Sequence, residues 1–160
     1  MEQPLHILVI EDNQADFLLM ERHLRQQGMS VQCVRIDRMA DLEEAITRGG
    51  WDIILADYQV PSLDFYDSFA LVRTLAPQVP VILVSGQLGE ERAVELLKLG
   101  AKDYVLKGSL IRLEPAIRRA LAEEQGIRNR KLYERMLRES EARYRRIFEA
   151  SQDGILILEA

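Results

Sequence analysis

The sequence has a single cysteine, and none of its apolar stretches is long enough to cross a membrane. Cys33 has no second cysteine to pair with, and its setting is typical of a small buried residue rather than a reactive thiol. A bilayer-spanning helix needs roughly 18 consecutive apolar residues. The acidic start of the chain, residues 1–4, leads into no long apolar core and does not resemble a signal peptide. These absences predict a cytoplasmic protein without a membrane segment.

Charge is unevenly distributed along the 160 residues, which are 48% hydrophobic and 29% charged, as is typical of a soluble globular protein. Residues 1–109 carry a net charge of −7, whereas residues 110–150 carry +4. Acidic residues are interleaved throughout residues 114–149, which favours a solvated helix with intrahelical ion pairs over a nucleic-acid arm. No nucleic-acid partner is therefore expected.

Five short apolar runs alternate with helical patterns. The run Ile53–Ala56 leads without a break into Asp57, which is typical of a strand buried on both faces of a parallel sheet. The alternation predicts an α/β fold with a doubly wound, five-stranded parallel sheet and a long C-terminal helix. The predicted strands cover residues 5–10, 31–36, 53–57, 81–85 and 103–107, and the predicted helices cover 13–25, 41–48, 64–75, 90–99 and 115 onward.

Polar groups follow four of these strands: Glu11 and Asp12, Asp57, Ser85, and Lys107. Asp57 alone is equally compatible with a cap for the next turn. However, ligands of open α/β sheets bind at the carboxyl ends of the strands, where all four groups meet. Converging carboxylates repel unless a cation intervenes, and Mg²⁺ prefers such oxygen ligands beside a phosphate. A carboxylate nucleophile near Mg²⁺ and a lysine predicts aspartyl-phosphate chemistry.

The order of these residues resembles the receiver domain of bacterial two-component response regulators, over about residues 4–122. The resemblance implies that Asp57 accepts a phosphoryl group from a sensor histidine kinase or a phosphotransfer protein. It implies that Mg²⁺ is held by Glu11, Asp12, Asp57 and the backbone carbonyl of Gln59. It also implies that Ser85 and Lys107 contact the phosphoryl group, and that Tyr104 turns inward when Ser85 moves.

The sequence departs from the family pattern at several positions. The acid pair is Glu-Asp rather than Asp-Asp, and Ser85 replaces the commoner threonine. Gly108 follows Lys107 where the family usually has proline, and without proline a cis bond costs about 2.5–4 kcal/mol. The usual glycine near residues 63–64 is also missing. The geometry of both loops is therefore left open.

The basic segment at residues 110–150, called the arm below, is predicted to form a dimer. Tyr133, Leu137, Tyr144 and Ile147 fall on one seam of a proline-free helix, which is typical of a short coiled coil. Residues 140–158 resemble the opening of a PAS sensory domain, as in a fragment of a longer regulator. The predicted organisation is a receiver domain at 1–122, a helical linker at 123–150 and the start of a PAS domain at 151–160.

Three rival functions have distinct sequence requirements. A Mg²⁺-dependent aspartyl-phosphate phosphohydrolase needs a second aspartate two residues after the nucleophile, where this chain has Gln59. A flavodoxin-like cofactor binder needs a phosphate loop rich in Ser, Thr and Gly after the first strand, where this chain has residues 11–14, Glu-Asp-Asn-Gln. A pseudo-receiver used only for protein interaction is disfavoured because every key position is filled. Whether the full-length protein is an enzyme is left open.

Overall fold

The computed structural model describes the backbone of residues 2–159 and the side chains of residues 2–151. Strands and helices alternate as predicted. The strands are β1 Leu5–Ile10, β2 Val31–Ile36, β3 Ile53–Ala56, β4 Val81–Ser85 and β5 Asp103–Leu106. The helices are α1 Gln14–Gln26, α2 Met39–Arg48, α3 Phe65–Leu75, α4 Glu90–Leu99 and α5 Leu113–Glu159, with a 3₁₀ segment at Lys107–Arg112.

The five strands form one parallel sheet in the order β2-β1-β3-β4-β5. The chain passes outward from β1 to β2 and then returns to place β3 on the other side of β1. Ile10 and Ala56 are register partners, so β1 and β3 end side by side. This reversal of strand order opens a crevice at the carboxyl ends, which is where ligands of such sheets bind.

Alternate residues of each central strand enter opposite cores, because successive strand side chains point to opposite faces. Leu8 belongs to a core shared with α2, α3 and α4, whereas Ile7 belongs to a core shared with α1 and the start of α5. Both residues are fully buried. Helices therefore cover both faces of the sheet, and the predicted doubly wound α/β fold is confirmed.

Several predicted boundaries were wrong by one or two residues. Helix α2 begins at Met39 rather than residue 41, and α5 begins at Leu113 rather than Pro115. Leu113 is fully buried, so the apolar stripe of α5 starts before the proline. Strand β5 ends at Leu106, and Lys107 opens the 3₁₀ segment. No cis peptide bond occurs among the described residues, so the Lys107–Gly108 bond is trans.

Cys33 is half-buried on β2 and packs against the core beside α1. Burial raises the pKa of its thiol to about 12, which keeps the thiol protonated at neutral pH. The environment of Cys33 is thus that of a small apolar residue, as the sequence predicted.

The chain divides into two compact units, Met1–Glu124 and Gln125–Ala160. The second unit is a continuation of α5, in which Ile127 is half-buried and the described apolar side chains from Leu132 onward are exposed. No helix among the described residues combines the length and apolar character of a bilayer span. The predicted start of a PAS domain, residues 151–160, falls almost entirely outside the residues whose side chains are described, and it stays a prediction.

Candidate functional site

The turn after β1 presents two neighbouring carboxylates in different environments. The backbone N–H of Glu11 donates to the Ile36 carbonyl and extends the ladder with β2, so its side chain is fully buried. Asp12 follows in the turn and is exposed. Asn13 then caps α1 and donates its backbone N–H to Glu11 Oε1 at 3.0 Å. Strand β1 and the α1 cap together determine where both acids lie.

Asp57 lies directly after β3 and is 7% exposed. Its backbone N–H donates to the Ile10 carbonyl at 2.9 Å, which keeps it beside the end of β1. The backbone N–H of Gln59 donates to Asp57 Oδ1 at 3.1 Å, and Lys107 Nζ donates to Asp57 Oδ2 at 2.8 Å. Both carboxylate oxygens are thus held in fixed directions at the floor of the crevice.

Glu11, Asp12 and Asp57 form an acidic cluster in which one oxygen from each lies within 4.8 Å of the others. Three hard oxygen donors at this spacing, on one edge of the sheet, match the coordination that Mg²⁺ prefers in proteins. The donor set therefore fits the ion that the sequence predicted.

Lys107 brings a positive charge to the acidic cluster. Its ammonium lies 2.7 Å from Glu11 Oε2 and 2.8 Å from Asp57 Oδ2. Burial by itself lowers the pKa of Lys107, but hydrogen bonds to Asp16, Asp57 and Glu11 outweigh it and raise that pKa. Lys107 is therefore fully charged across the physiological pH range.

The environment of Glu11 favours its neutral form, whereas that of Lys107 favours the charged form. Burial raises the pKa of its carboxyl group, while hydrogen bonds from Lys107 and from the Asn13 backbone oppose that shift only in part. The charged form of Glu11 is therefore costly in this position. A cation at the acidic cluster lowers that cost.

Ser85 and Tyr104 lie at the same edge but are not brought into this contact network. Ser85 is fully buried, and its Oγ has no hydrogen-bond partner among the described residues. It is the register partner of Leu106, immediately before Lys107. Tyr104 is half-buried and donates its hydroxyl to the Leu88 carbonyl at 3.4 Å, in the loop between β4 and α4. The hydrogen-bonding capacity of the Ser85 hydroxyl is thus unused among the described residues.

Two residues at the site were missed by reasoning from the sequence. Asp16, in the first turn of α1, lies 2.8 Å from Lys107 Nζ through its Oδ2. Arg35, on β2, donates to the Glu11 carbonyl at 3.1 Å and restrains the turn after β1. An acid three residues after the Asn13 cap was a usable signal for Asp16, because the first turn of α1 begins at this edge of the sheet.

Comparison with known proteins agrees with this geometry. The model of the response regulator receiver domain matches residues 7–118, and the chain belongs to that family. It is 28% identical over 124 residues to the transcriptional regulatory protein ZraR of Escherichia coli (strain K12), covering 77% of this chain and 28% of that protein. The chain spans about a quarter of the length of the curated relatives it matches.

Solved structures share the fold. The receiver domain of the sensor histidine kinase PA1611 from Pseudomonas aeruginosa PAO1, with a magnesium ion in its active-site cleft, has a TM-score of 0.64 at 24% identity. The match covers 75% of this chain and 99% of that one. The beryllofluoride-activated NtrC4 receiver domain dimer has a TM-score of 0.66 at 22% identity, covering 74% and 98%. Residues 7–118 thus form a response regulator receiver domain of two-component signalling. The general role of such domains is to accept phosphoryl groups.

Proposed function

We propose that this chain takes a phosphoryl group on Asp57 from a histidine kinase or a phosphotransfer protein, with Mg²⁺ bound at the acidic cluster. The observation that carries the proposal is the position of the buried Asp57 carboxylate, which is grouped with Glu11 and Asp12 within 4.8 Å and contacted by Lys107 at 2.8 Å. The backbone carbonyl of Gln59 completes the protein ligands. The cytoplasm is the compartment in which we expect this transfer.

The transfer needs positioning and charge neutralisation more than covalent chemistry from the protein. One Asp57 oxygen supplies the electron pair of the new O–P bond. The P–N bond of the donor phosphohistidine breaks, and its electron pair stays on the imidazole nitrogen. Mg²⁺, when bound, neutralises part of the charge on the phosphoryl oxygens. Lys107 binds one phosphoryl oxygen by its charge, and the Ser85 hydroxyl donates a hydrogen bond to another.

The signal then leaves the site through Ser85 and Tyr104. When Ser85 turns toward the phosphoryl group, Tyr104 gives up its hydrogen bond to Leu88 and moves inward. That change alters the surface beside β5. The α5 arm carries the change toward a PAS domain that begins at residues 151–160 and an output module further along the full-length protein.

Loss of Asp12 tests the metal site and the reaction together. We expect calorimetry to show one Mg²⁺ per chain, with an affinity at least about tenfold weaker in Asp12→Ala because a charged ligand is lost. Intact-mass measurement after incubation with acetyl phosphate should show one added phosphoryl group only when Mg²⁺ is present, and a parallel loss in Asp12→Ala.

Asp41→Ala is the matched control for this experiment. Asp41 is an exposed acid on α2 that lies outside the acidic cluster. Its removal should leave Mg²⁺ binding and phosphorylation unchanged. Wild-type affinity for Mg²⁺ in Asp12→Ala, or phosphorylation of the wild type in excess chelator, contradicts the proposed site.

We also propose that the arm forms a homodimer. Tyr133, Leu137, Tyr144 and Ile147 lie on one side of α5, and all are exposed, from 47% at Leu137 to 72% at Tyr144. Burying apolar area contributes about 25 cal/mol per Å², whereas association costs several kcal/mol. A short seam should therefore give a concentration-dependent dimer. The NtrC4 receiver, which forms a dimer when activated with beryllofluoride, supports a link between phosphorylation and association.

Sedimentation at several protein concentrations, with and without beryllofluoride, measures this dimer. We expect Leu137→Glu to weaken it at least about tenfold, because a charge enters the seam. Ala142→Glu places the same charge on the opposite side of the helix and should have little effect. A wild-type monomer at high micromolar concentration, or equal dimerisation of Leu137→Glu and Ala142→Glu, excludes the seam as the interface.

A further inference from the structure

Three carboxylates lie within ion-pairing distance of the Lys107 ammonium. Its Nζ lies 2.7 Å from Glu11 Oε2 and 2.8 Å from both Asp16 Oδ2 and Asp57 Oδ2. An ammonium has three donors and no acceptor. A phosphoryl oxygen must therefore compete with these carboxylates for the ammonium.

The three carboxylates differ in what else they can bind. Glu11 and Asp57 belong to the acidic cluster, and a cation there draws their oxygens away from Lys107. Asp16 lies outside that cluster and is the partner of Lys107 that metal binding leaves untouched. Without Asp16, the flexible four-carbon stem of Lys107 would lose its restraint at the moment when the ammonium is needed.

We propose that Asp16 is a positioning residue that holds the Lys107 ammonium at the mouth of the site while Mg²⁺ and the phosphoryl group engage the other carboxylates. This inference rests on the proposed function of Asp57. It assigns to Asp16 an interaction that persists through the reaction, whereas the contacts of Lys107 with Glu11 and Asp57 belong to the resting state.

The position of Asp16 is set by well-packed structure. Its backbone N–H donates to Asn13 Oδ1 at 3.1 Å within the cap of α1. Helix α1 is anchored in the core by Met20 and Leu24, which are 3% and 0% exposed. The 3₁₀ segment that begins at Lys107 contacts α1 directly. A negative side chain in the first turn is also favoured by the helix dipole. Asp16 is thus a preorganised partner for the ammonium.

Asp16→Asn in the 160-residue protein tests this role, because asparagine keeps the size of the side chain and removes its charge. We expect phosphorylation by acetyl phosphate at saturating Mg²⁺ to slow about five- to tenfold, the effect of one partly exposed charge-assisted contact. Glu21→Gln is the matched control, since Glu21 is a half-buried acid on the same helix that pairs with Arg25 instead.

A second measurement separates positioning from a general effect of charge. Nuclear magnetic resonance detects a lysine ammonium when its protons are held in hydrogen bonds. With Mg²⁺ and beryllofluoride bound, the Lys107 ammonium signal should be present in the wild type and in Glu21→Gln, and lost in Asp16→Asn. An unchanged or faster rate, a retained signal, or equal effects of Glu21→Gln each overturn the inference. A wild type that gains no phosphoryl group at Asp57 overturns the proposed function instead.

Discussion

Asp57→Asn should gain no phosphoryl group under conditions in which the wild type gains one. The amide of asparagine carries no negative charge, and its oxygen is a far weaker nucleophile toward phosphorus than a carboxylate oxygen. Asparagine also keeps the size of the side chain, so the turn after β3 and its hydrogen bond from Gln59 have no steric reason to change. Intact-mass measurement after incubation with Mg²⁺ and acetyl phosphate reports the result directly.

The matched control is Asp52→Asn, which changes an acid at the opposite end of β3. Asp52 is partly exposed and accepts a hydrogen bond from the His6 backbone, away from the acidic cluster. Its variant should be phosphorylated like the wild type. If Asp57→Asn acquires a stable phosphoryl group at the wild-type rate, the acceptor is another residue, and peptide mapping should then be directed at Glu11 and Asp12.

The meeting of the polar residues that follow the strands was predictable because the sheet is parallel. In such a sheet, the polar residue after each apolar run must reach the same edge, so the runs ending at Glu11, Asp57 and Lys107 predicted a common site. The cap of α1 at Asn13 and the early α5 packing through Ile117 also follow from local chemistry and periodicity. These features depend on short stretches of sequence and on one topological rule.

Features that depend on the relative placement of two elements were not predictable. The contact between Asp16 and Lys107 joins residues 91 positions apart and depends on how α1 packs against the 3₁₀ segment. Adjacent acids such as Glu11 and Asp12 look equivalent in the sequence. Their burial differs because Glu11 continues the β1 ladder to Ile36 and Asp12 does not. Sequence patterns identify the types of residue at the site, but packing determines their partners.

The partners of Lys107 lead to a second large effect, on stability. In the absence of Mg²⁺, we expect Lys107→Met to lower the free energy of unfolding by about 1–3 kcal/mol at neutral pH, because three converging carboxylates lose their only described cation. Added Mg²⁺ should stabilise this variant more than the wild type, since the ion replaces the missing positive charge. Thermal and urea unfolding with chelator or with saturating Mg²⁺ measure both effects. Lys98→Met, on the exposed surface of α4, is the matched control.

The stability deficit of Lys107→Met should depend on pH because it arises from the same charges. Burial already raises the pKa of Glu11 above its ordinary value of 4.5, and Lys107→Met should raise it further because the ammonium that opposes this shift is removed. A carboxyl group with a raised pKa contributes stability below its unfolded-state value, and that contribution is lost as the pH rises through the folded-state value. The deficit of Lys107→Met relative to the wild type should therefore be largest at neutral pH and should shrink toward about pH 4.5. A deficit that is equal at both pH values, or an equal response of variant and wild type to Mg²⁺, would show that Lys107 does not balance the charge of this site.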